Sequence, residues 1–280
     1  MFRTDKIKTG EILLKKIGII GQDSFIGANL FDFLVKTSKY NVVGTTINTL
    51  DITSSDDIKN FVKTENCDVI ILLAGSKNVK ELESDLDYAY KINVEPVKNF
   101  VENITNERFV YMSSDYVYNG NKGMYDTSDA VCPDTVYGKN KVQAENIIRE
   151  NCKNYGIVRT AGVLGNKSVF LNWLINTFKT EKQVEMFDNS YFTPTCVTFL
   201  CEAIEQIIND NENKIYHAVQ EKRLSRYELA CIVKNMIKSE CEIIPVKTSC
   251  VDRSLEQCDF IKRVSKKTFE DYLKDILCTN

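Results

Sequence analysis

The sequence predicts an α/β chain built on a doubly wound parallel sheet, with a smaller α/β lobe towards its C-terminus. Three observations predict it. Short apolar runs alternate with stretches of helical periodicity, with no internal repeat and no Pro- or Gly-rich linker. The run Cys67-Asp68-Val69-Ile70-Ile71-Leu72-Leu73 is almost continuously apolar, as expected of a central parallel strand covered on both faces. Finally, Lys16-Ile17-Gly18-Ile19-Ile20 runs through a glycine-bounded turn into an amphipathic helix, the way a parallel sheet presents a helix N-terminus to a phosphate.

Composition narrows the function classes. The chain has 280 residues, 43% hydrophobic and 27% charged, enough to bury a sizeable core. A formal net charge of −3 and the lack of clustered Lys/Arg with interleaved aromatics argue against nucleic acid as a partner. No apolar run approaches a membrane span, and Met1 to Lys16 is too charged for a signal peptide, so a cytoplasmic protein is expected. The ten cysteines form no Cys-x-x-Cys pair and His217 is the single histidine. No metal site is therefore expected, and the thiols read as reduced and mostly buried. The division expected along the chain is an extension over 1–14, a dinucleotide-binding domain over 15–165, and a lobe over 166–280 with some return of chain to the first domain.

In order, the first strand leads into Gly21-Gln22-Asp23-Ser24-Phe25-Ile26-Gly27 and a helix from Ala28 to about Thr37. The two glycines fit either a phosphate cradle or a tight turn with no ligand. Tyr40 to Thr46 is a second strand. Its end offers Thr45, Thr46, Ile47 and Asn48, neither the carboxylate that binds a ribose hydroxyl of NAD nor the Arg that favours NADP. The preference between NAD and NADP stays open, although the missing carboxylate removes the main repulsion against NADP. Thr53 or Ser54 caps a helix carrying Ile58, Phe61 and Val62. The apolar run through Leu73 ends at Ala74-Gly75-Ser76, a small-residue turn that lets backbone approach a cofactor's pyrophosphate and nicotinamide ribose. A long helix from about Glu83 to Val101 follows and carries Asn93.

The chemistry concentrates between Arg108 and Arg149. Arg108 to Met112 reads as a buried strand ending in Ser113-Ser114-Asp115, and Tyr137 and Lys141 stand four apart at the start of the next helix, on one face. A phenol is a poor acid or base at neutral pH, but an ammonium beside it favours the phenolate and lowers its pKa. The phenol could then exchange a proton with a substrate hydroxyl or carbonyl. Tyr137 is thus the candidate acid/base, Lys141 its tuner, and Ser114 the hydroxyl that orients the same oxygen.

Ser113-Ser114-Asp115-Tyr116-Val117-Tyr118, Tyr125-Asp126, Pro133 and Tyr137-Gly138-Lys139-Asn140-Lys141 with Ala144-Glu145 resemble, in order and spacing, the active-site segment of the extended short-chain dehydrogenase/reductases. The dTDP-4-dehydrorhamnose reductases are the nearest in kind. Leu50-Asp51-Ile52-Thr53 is similar to a signature of that family. The resemblance implies a Rossmann-type fold and places Asp51 and Ile52 at the adenine, with helix capping as their plainer role. It also implies an Asn93 that braces the active-site lysine through water, an isolated surface Asn being the alternative. Gly21, Asp23, Ser24, Phe25, Ile26, Gly27, Thr46, Leu73, Ala74, Gly75, Ser113, Tyr137 and Lys141 complete the expected cofactor contacts, and Ser76, Asp115, Tyr116, Gly162 and Phe192 the substrate contacts. Three positions depart from the family pattern. Ser24 replaces a glycine of the phosphate turn, Gly162 replaces a Trp near the sugar, and Phe192 replaces a glycine. Loss of the Trp would remove a stacking wall of the sugar pocket.

Beyond Val169 the pattern becomes helices and short strands, the substrate-binding lobe that the resemblance implies. His217 there reads as structural, Ser225-Arg226-Tyr227-Glu228 as a capping box, and 242–267 carries no motif. The function implied is an NAD- or NADP-dependent reductase of a keto group on a nucleotide-activated deoxysugar, with a homodimer as the default assembly. Sugar 4,6-dehydratases need Asp-Glu after the active-site serine, where this chain has Asp115-Tyr116; the epimerase-reductases that make GDP-fucose need Cys there. A 4-epimerase needs only the same Ser, Tyr and Lys. A non-catalytic dinucleotide-binding regulatory subunit is the alternative from another class, motivated by the three departures and opposed by the intact trio.

Overall fold

A computed structural model describes residues 14–278; the expected extension over 1–14 lies almost wholly outside them. Four βα steps and a fifth strand come first. Strands β1 (Lys15–Ile20), β2 (Tyr40–Thr45), β3 (Val69–Leu72), β4 (Arg108–Met112) and β5 (Tyr155–Arg159) pair in parallel. Interleaved with them are α1 (Phe25–Thr37), α2 (Ser55–Glu65), α3 (Val79–Ser84), α4 (Leu86–Asn93), α5 (Glu95–Asn103) and α6 (Val136–Asn151). The remainder contains β6 (Val163–Leu164), α7 (Val169–Thr180), β7 (Gln183–Phe187), β8 (Ser190–Phe192), β9 (Thr195–Cys196) and α8 (Val197–Asn209). It ends with β10 (Lys214–His217), β11 (Leu224–Ser225), α9 (Arg226–Ile237), β12 (Glu242–Val246), β13 (Val251–Asp252) and α10 (Phe269–Cys278).

The main sheet has the order β10-β5-β4-β3-β1-β2. The winding reverses between β1 and β3, so their C-terminal ends open a crevice. Alternation along each strand divides the core in two. Val69 and Ile71 face one cluster with Ile17, Ile19, Leu30 and Leu34, while Ile70 and Leu72 face the other with Ile58, Phe61, Val97 and Phe100. Both faces are apolar, which is why β3 reads as an unbroken hydrophobic run. The strand β10 joins the edge of this sheet beside β5 and α8 packs its buried face into the first cluster. Chain from beyond residue 166 therefore returns to the main sheet. The rest of the lobe is small: β8 between β11 and β13, and β7 paired with β12, held by α9, which opens with a full capping box at Ser225 and Glu228.

The single helix expected over Glu83 to Val101 is three. Asp85 is extended and its carboxylate accepts from the Tyr88 amide, capping α4; Pro96 lies in the first turn of α5, where its missing N–H costs nothing. Local capping overrides continuous periodicity here. All ten cysteines are free; five are buried and three exposed, so burial of the thiols is less general than expected.

Behind β4 and β5 lies a closed polar network. The Glu145 carboxylate takes two bonds from Arg159, at 2.6 and 3.0 Å, and one from the Ser113 hydroxyl at 2.5 Å. Arg159 also donates to the Tyr118 hydroxyl, which meets His217 at 3.2 Å. Burial pushes His217 down to about 4, which keeps it neutral and makes it a structural member of this network. Because both side chains of the Glu145–Arg159 pair are 3% exposed, Glu145→Ala should leave an uncompensated cation and cost about 3–5 kcal/mol. Urea unfolding at pH 7 measures this, and a loss below about 1 kcal/mol would contradict the assignment.

Candidate active site

The crevice at the sheet's C-terminal edge consists of two joined cavities of about 450 and about 550 Å³, within the range of small-molecule sites. They share Ser24, Leu73, Ala74, Gly75 and Ser76. The first is walled by Gly21, Asp23, Thr46, Asp51 and Ile52 and the second by Phe25, Ile26, Ser113, Ser114, Asp115, Tyr116, Tyr137, Lys141 and Gly162. Most residues expected at cofactor and substrate therefore line one continuous trough. Such a trough, with the N-terminus of α1 at its middle, fits an extended dinucleotide.

The turn into α1 explains Ser24. Its φ of −70° needs no glycine, and its hydroxyl caps the helix by accepting from the Gly27 amide. Gly27 does not line the cavity; a Cβ there would sit 2.1 Å from the Gly21 carbonyl oxygen. Asp51 lines the cavity and also accepts from the amide and hydroxyl of Thr53, each at 2.8 Å, which lowers its pKa; Ser54 is the cap of α2.

Helix α6 carries Tyr137 and Lys141 to the end of β4 because Gly138 lets it pack closely. A Cβ on Gly138 would sit 2.1 Å from the Tyr116 carbonyl oxygen. Tyr137 then meets the Tyr116 ring edge-on at 5.5 Å. Lys141, 8% exposed, donates to the Met112 carbonyl at 2.8 Å. Its ammonium lies 4.6 Å from the Tyr111 ring centre and 5.6 Å from that of Tyr137. The Ser114 hydroxyl donates to Asp115 Oδ1 at 2.9 Å and lies near enough to the Tyr137 phenol to favour its ionised form.

The model of the RmlD substrate binding domain family matches residues 15–262. The chain belongs to this family. Similar proteins include the spore coat polysaccharide biosynthesis protein SpsK of Bacillus subtilis, 28% identical over 240 residues, covering 84% of each chain. The dTDP-4-dehydrorhamnose reductase of Aggregatibacter actinomycetemcomitans is 28% identical over 232 residues, covering 79% of this chain and 78% of the relative. The crystal structure of the Bacillus anthracis dTDP-4-dehydrorhamnose reductase in complex with NADP superposes with a TM-score of 0.88 at 22% identity, over 96% of this chain and all of that one. At that identity the likeness is one of fold.

Two expectations about this RmlD-family site need correction. Burial raises the Tyr137 pKa, and the nearby Ser114 only opposes it; Lys141 does not lower it, because its Nζ is turned to the Met112 carbonyl. The phenol is therefore held protonated. Burial also pushes Lys141 down to about 8, against the attraction of Glu145, and Asp115 up to about 6, against its bond to Ser114 and the charges of Arg253 and Arg226. Second, Phe192 does not line the trough. It is 5% exposed, and its ring packs where a side chain on Gly162 would go: a Cβ there would meet the ring at 2.3 Å. With φ of +35° at Gly162, the two departures are one exchange, an aromatic from β8 filling volume behind the pocket floor.

The Asn93 side-chain amide accepts from the Ser76 amide and donates to the Ser76 carbonyl, both at 2.9 Å. It thereby fixes the turn over which the two cavities join. Sequence reasoning missed two arginines. Arg253 pairs in two bonds with Asp134 and lies 4.7 Å from the Tyr116 ring. Arg226 lies between Phe170 and Phe192, 4.7 and 3.8 Å from their ring centres, and finds no ion-pair partner among the described residues. A capping box gave Ser225 and Glu228 a role but no signal for Arg226 between them.

Asp115 supplies a test of these electrostatics. A folded-state pKa raised from 3.8 to about 6 means a contribution that is intact below pH 4 and lost as pH rises through 6. At pH 8 the buried carboxylate therefore weighs against folding, and Asp115→Asn should stabilise by about 2 kcal/mol there and by nothing at pH 4. Paired thermal unfolding at the two pH values reads this; equal effects at both would contradict it.

Proposed function

We propose that the chain is an NAD(P)H-dependent reductase of a keto group on a nucleotide-activated deoxysugar, acting in cell-surface carbohydrate biosynthesis. The observation that carries the reading is the position of Ser114, Tyr137 and Lys141 on one wall of a cavity continuous with a dinucleotide-shaped trough. Names among the relatives support the substrate class: dTDP-4-dehydrorhamnose reductases and a spore coat polysaccharide protein.

When bound, a reduced nicotinamide supplies hydride to the carbonyl carbon. Tyr137 is suited to the other half of the reaction. Reduction turns the carbonyl oxygen into an alkoxide, a far stronger base than a phenolate, so a phenol kept protonated by burial still gives up its proton to it. Lys141, held in this structure by the Met112 carbonyl and the Tyr111 ring, must turn its ammonium towards the phenolate left behind to stabilise it. Ser114 is turned towards Asp115 in this structure and must swing its proton to the substrate oxygen to orient it. The guanidinium of Arg226, close enough to Asp115 and Tyr116 for its charge to be felt there, suits the diphosphate of an activated sugar. No observation favours a dehydratase, an epimerase or a non-catalytic subunit. A nucleotide-sugar substrate would place the reaction in the cytoplasm, and no helix among the described residues is long and apolar enough to cross a membrane.

Oxidation of NADH or NADPH, followed by absorbance against dTDP-, UDP-, GDP- and CDP-4-keto-6-deoxysugars, tests the proposal. Tyr137→Phe should lower kcat by at least about 100-fold while dinucleotide binding persists. The rate should also fall as pH rises through about 8, as Lys141 loses its proton. Binding of both cofactors without turnover of any sugar would sink the reading.

A further inference from the structure

We propose that Asp23 makes this cleft select a dinucleotide without a 2′-phosphate, NADH over NADPH. The inference rests on the proposed dinucleotide site and concerns the end of β2. Folds of this kind hold the adenosine ribose there, with a carboxylate that accepts from its 2′-hydroxyl or an arginine that receives a 2′-phosphate. The strand's own end, Thr45-Thr46-Ile47-Asn48, offers neither.

The structure brings a carboxylate to this place from another segment. The amides of Gly21 and Gln22 both donate to the Thr45 carbonyl, at 3.1 and 2.7 Å, which ties the glycine turn to the end of β2. Asp23 follows directly, and its Oδ2 accepts from the Ile47 amide at 3.5 Å. An acid from the phosphate turn thus stands beside the end of β2, in the wall of the same cavity as Thr45, Thr46 and Ile47. Its surroundings reinforce the charge. The cavity wall contains Asp23 and Asp51 and no lysine or arginine. Lys91 is felt by Asp51 but is not part of the wall, and Asp51 is already engaged by Thr53. Thr46 and Thr49 are committed to closing their own turn, the Thr46 amide donating to Thr49 Oγ1 at 2.8 Å.

A ribose 2′-hydroxyl can donate to the Asp23 carboxylate. A 2′-phosphate, carrying nearly two negative charges at neutral pH, would face the same carboxylate with no cation in the wall to compensate. Repulsion of this size at a partly solvated site corresponds to about tenfold or more in affinity.

Fluorescence titration of the full-length protein with NADH and with NADPH, at one fixed ionic strength and without sugar substrate, tests this by binding alone. The wild type should bind NADH at least about tenfold more tightly. Asp23→Asn should close most of the gap, chiefly by tightening NADPH, and Asp23→Arg should invert the preference. Because Asp23 is exposed, neither substitution should disturb folding. Equal affinity for both cofactors in the wild type, or a gap that both substitutions leave unchanged, would overturn the proposal while keeping the dinucleotide site. If neither dinucleotide binds, the reading of the cleft itself is overturned, and this inference with it.

Discussion

The packing of α6 onto the end of β4 is the constraint on which the site depends. It requires a helix with no side chain at residue 138, since the Tyr116 carbonyl occupies that space. Given that approach, one helical turn sets Tyr137 beside Tyr116 and brings the Lys141 ammonium to the Met112 carbonyl. One turn further on, Glu145 reaches Ser113 and Arg159 behind the sheet. A single helix face thus ties catalytic candidates, strand ends and the buried network into one rigid unit, the arrangement that reacting groups need to be held in a fixed geometry.

Burial then decides the proton inventory. It raises Tyr137, lowers Lys141 and raises Asp115, each in the direction of the neutral form. For a reductase this is coherent, because the phenol begins each cycle with the proton it must deliver. In the proposed reaction the ammonium acts after the proton has moved, turning from the Met112 carbonyl to a phenolate that would otherwise be stranded in a site of low polarity. The Glu145–Arg159 pair has a different part: closed on itself, it lets α6 carry a carboxylate one turn from Lys141 without leaving an unpaired charge.

Much of this was legible in the sequence, for physical reasons. Strands covered on both faces must be apolar throughout, so β3 announced itself, and a Tyr and Lys four apart in a helix following Ser114 must share a face. Other features depend on contacts distant in sequence. The charge of Asp23 matters because the turn is pinned to β2, and the Gly162–Phe192 exchange is visible only where β8 passes behind the pocket. The direction of the Tyr137 shift followed from burial, which the spacing of Tyr and Lys does not reveal. Arg226 lay hidden inside a capping box whose other members explained the helix start without it. The helix expected across 83–101 failed because the Asp85 cap and Pro96 in the first turn of α5 outweighed its periodicity.

The central claim is that this cleft moves a hydride onto a sugar carbonyl while Tyr137 protonates the oxygen. The most direct measurement is mass spectrometry of the product formed from a 4-keto-6-deoxysugar nucleotide and a cofactor deuterated at the transferring position of nicotinamide C4, in ordinary water. The account predicts one deuterium, bound to the former carbonyl carbon. A product free of deuterium would contradict it and point to elimination or epimerisation.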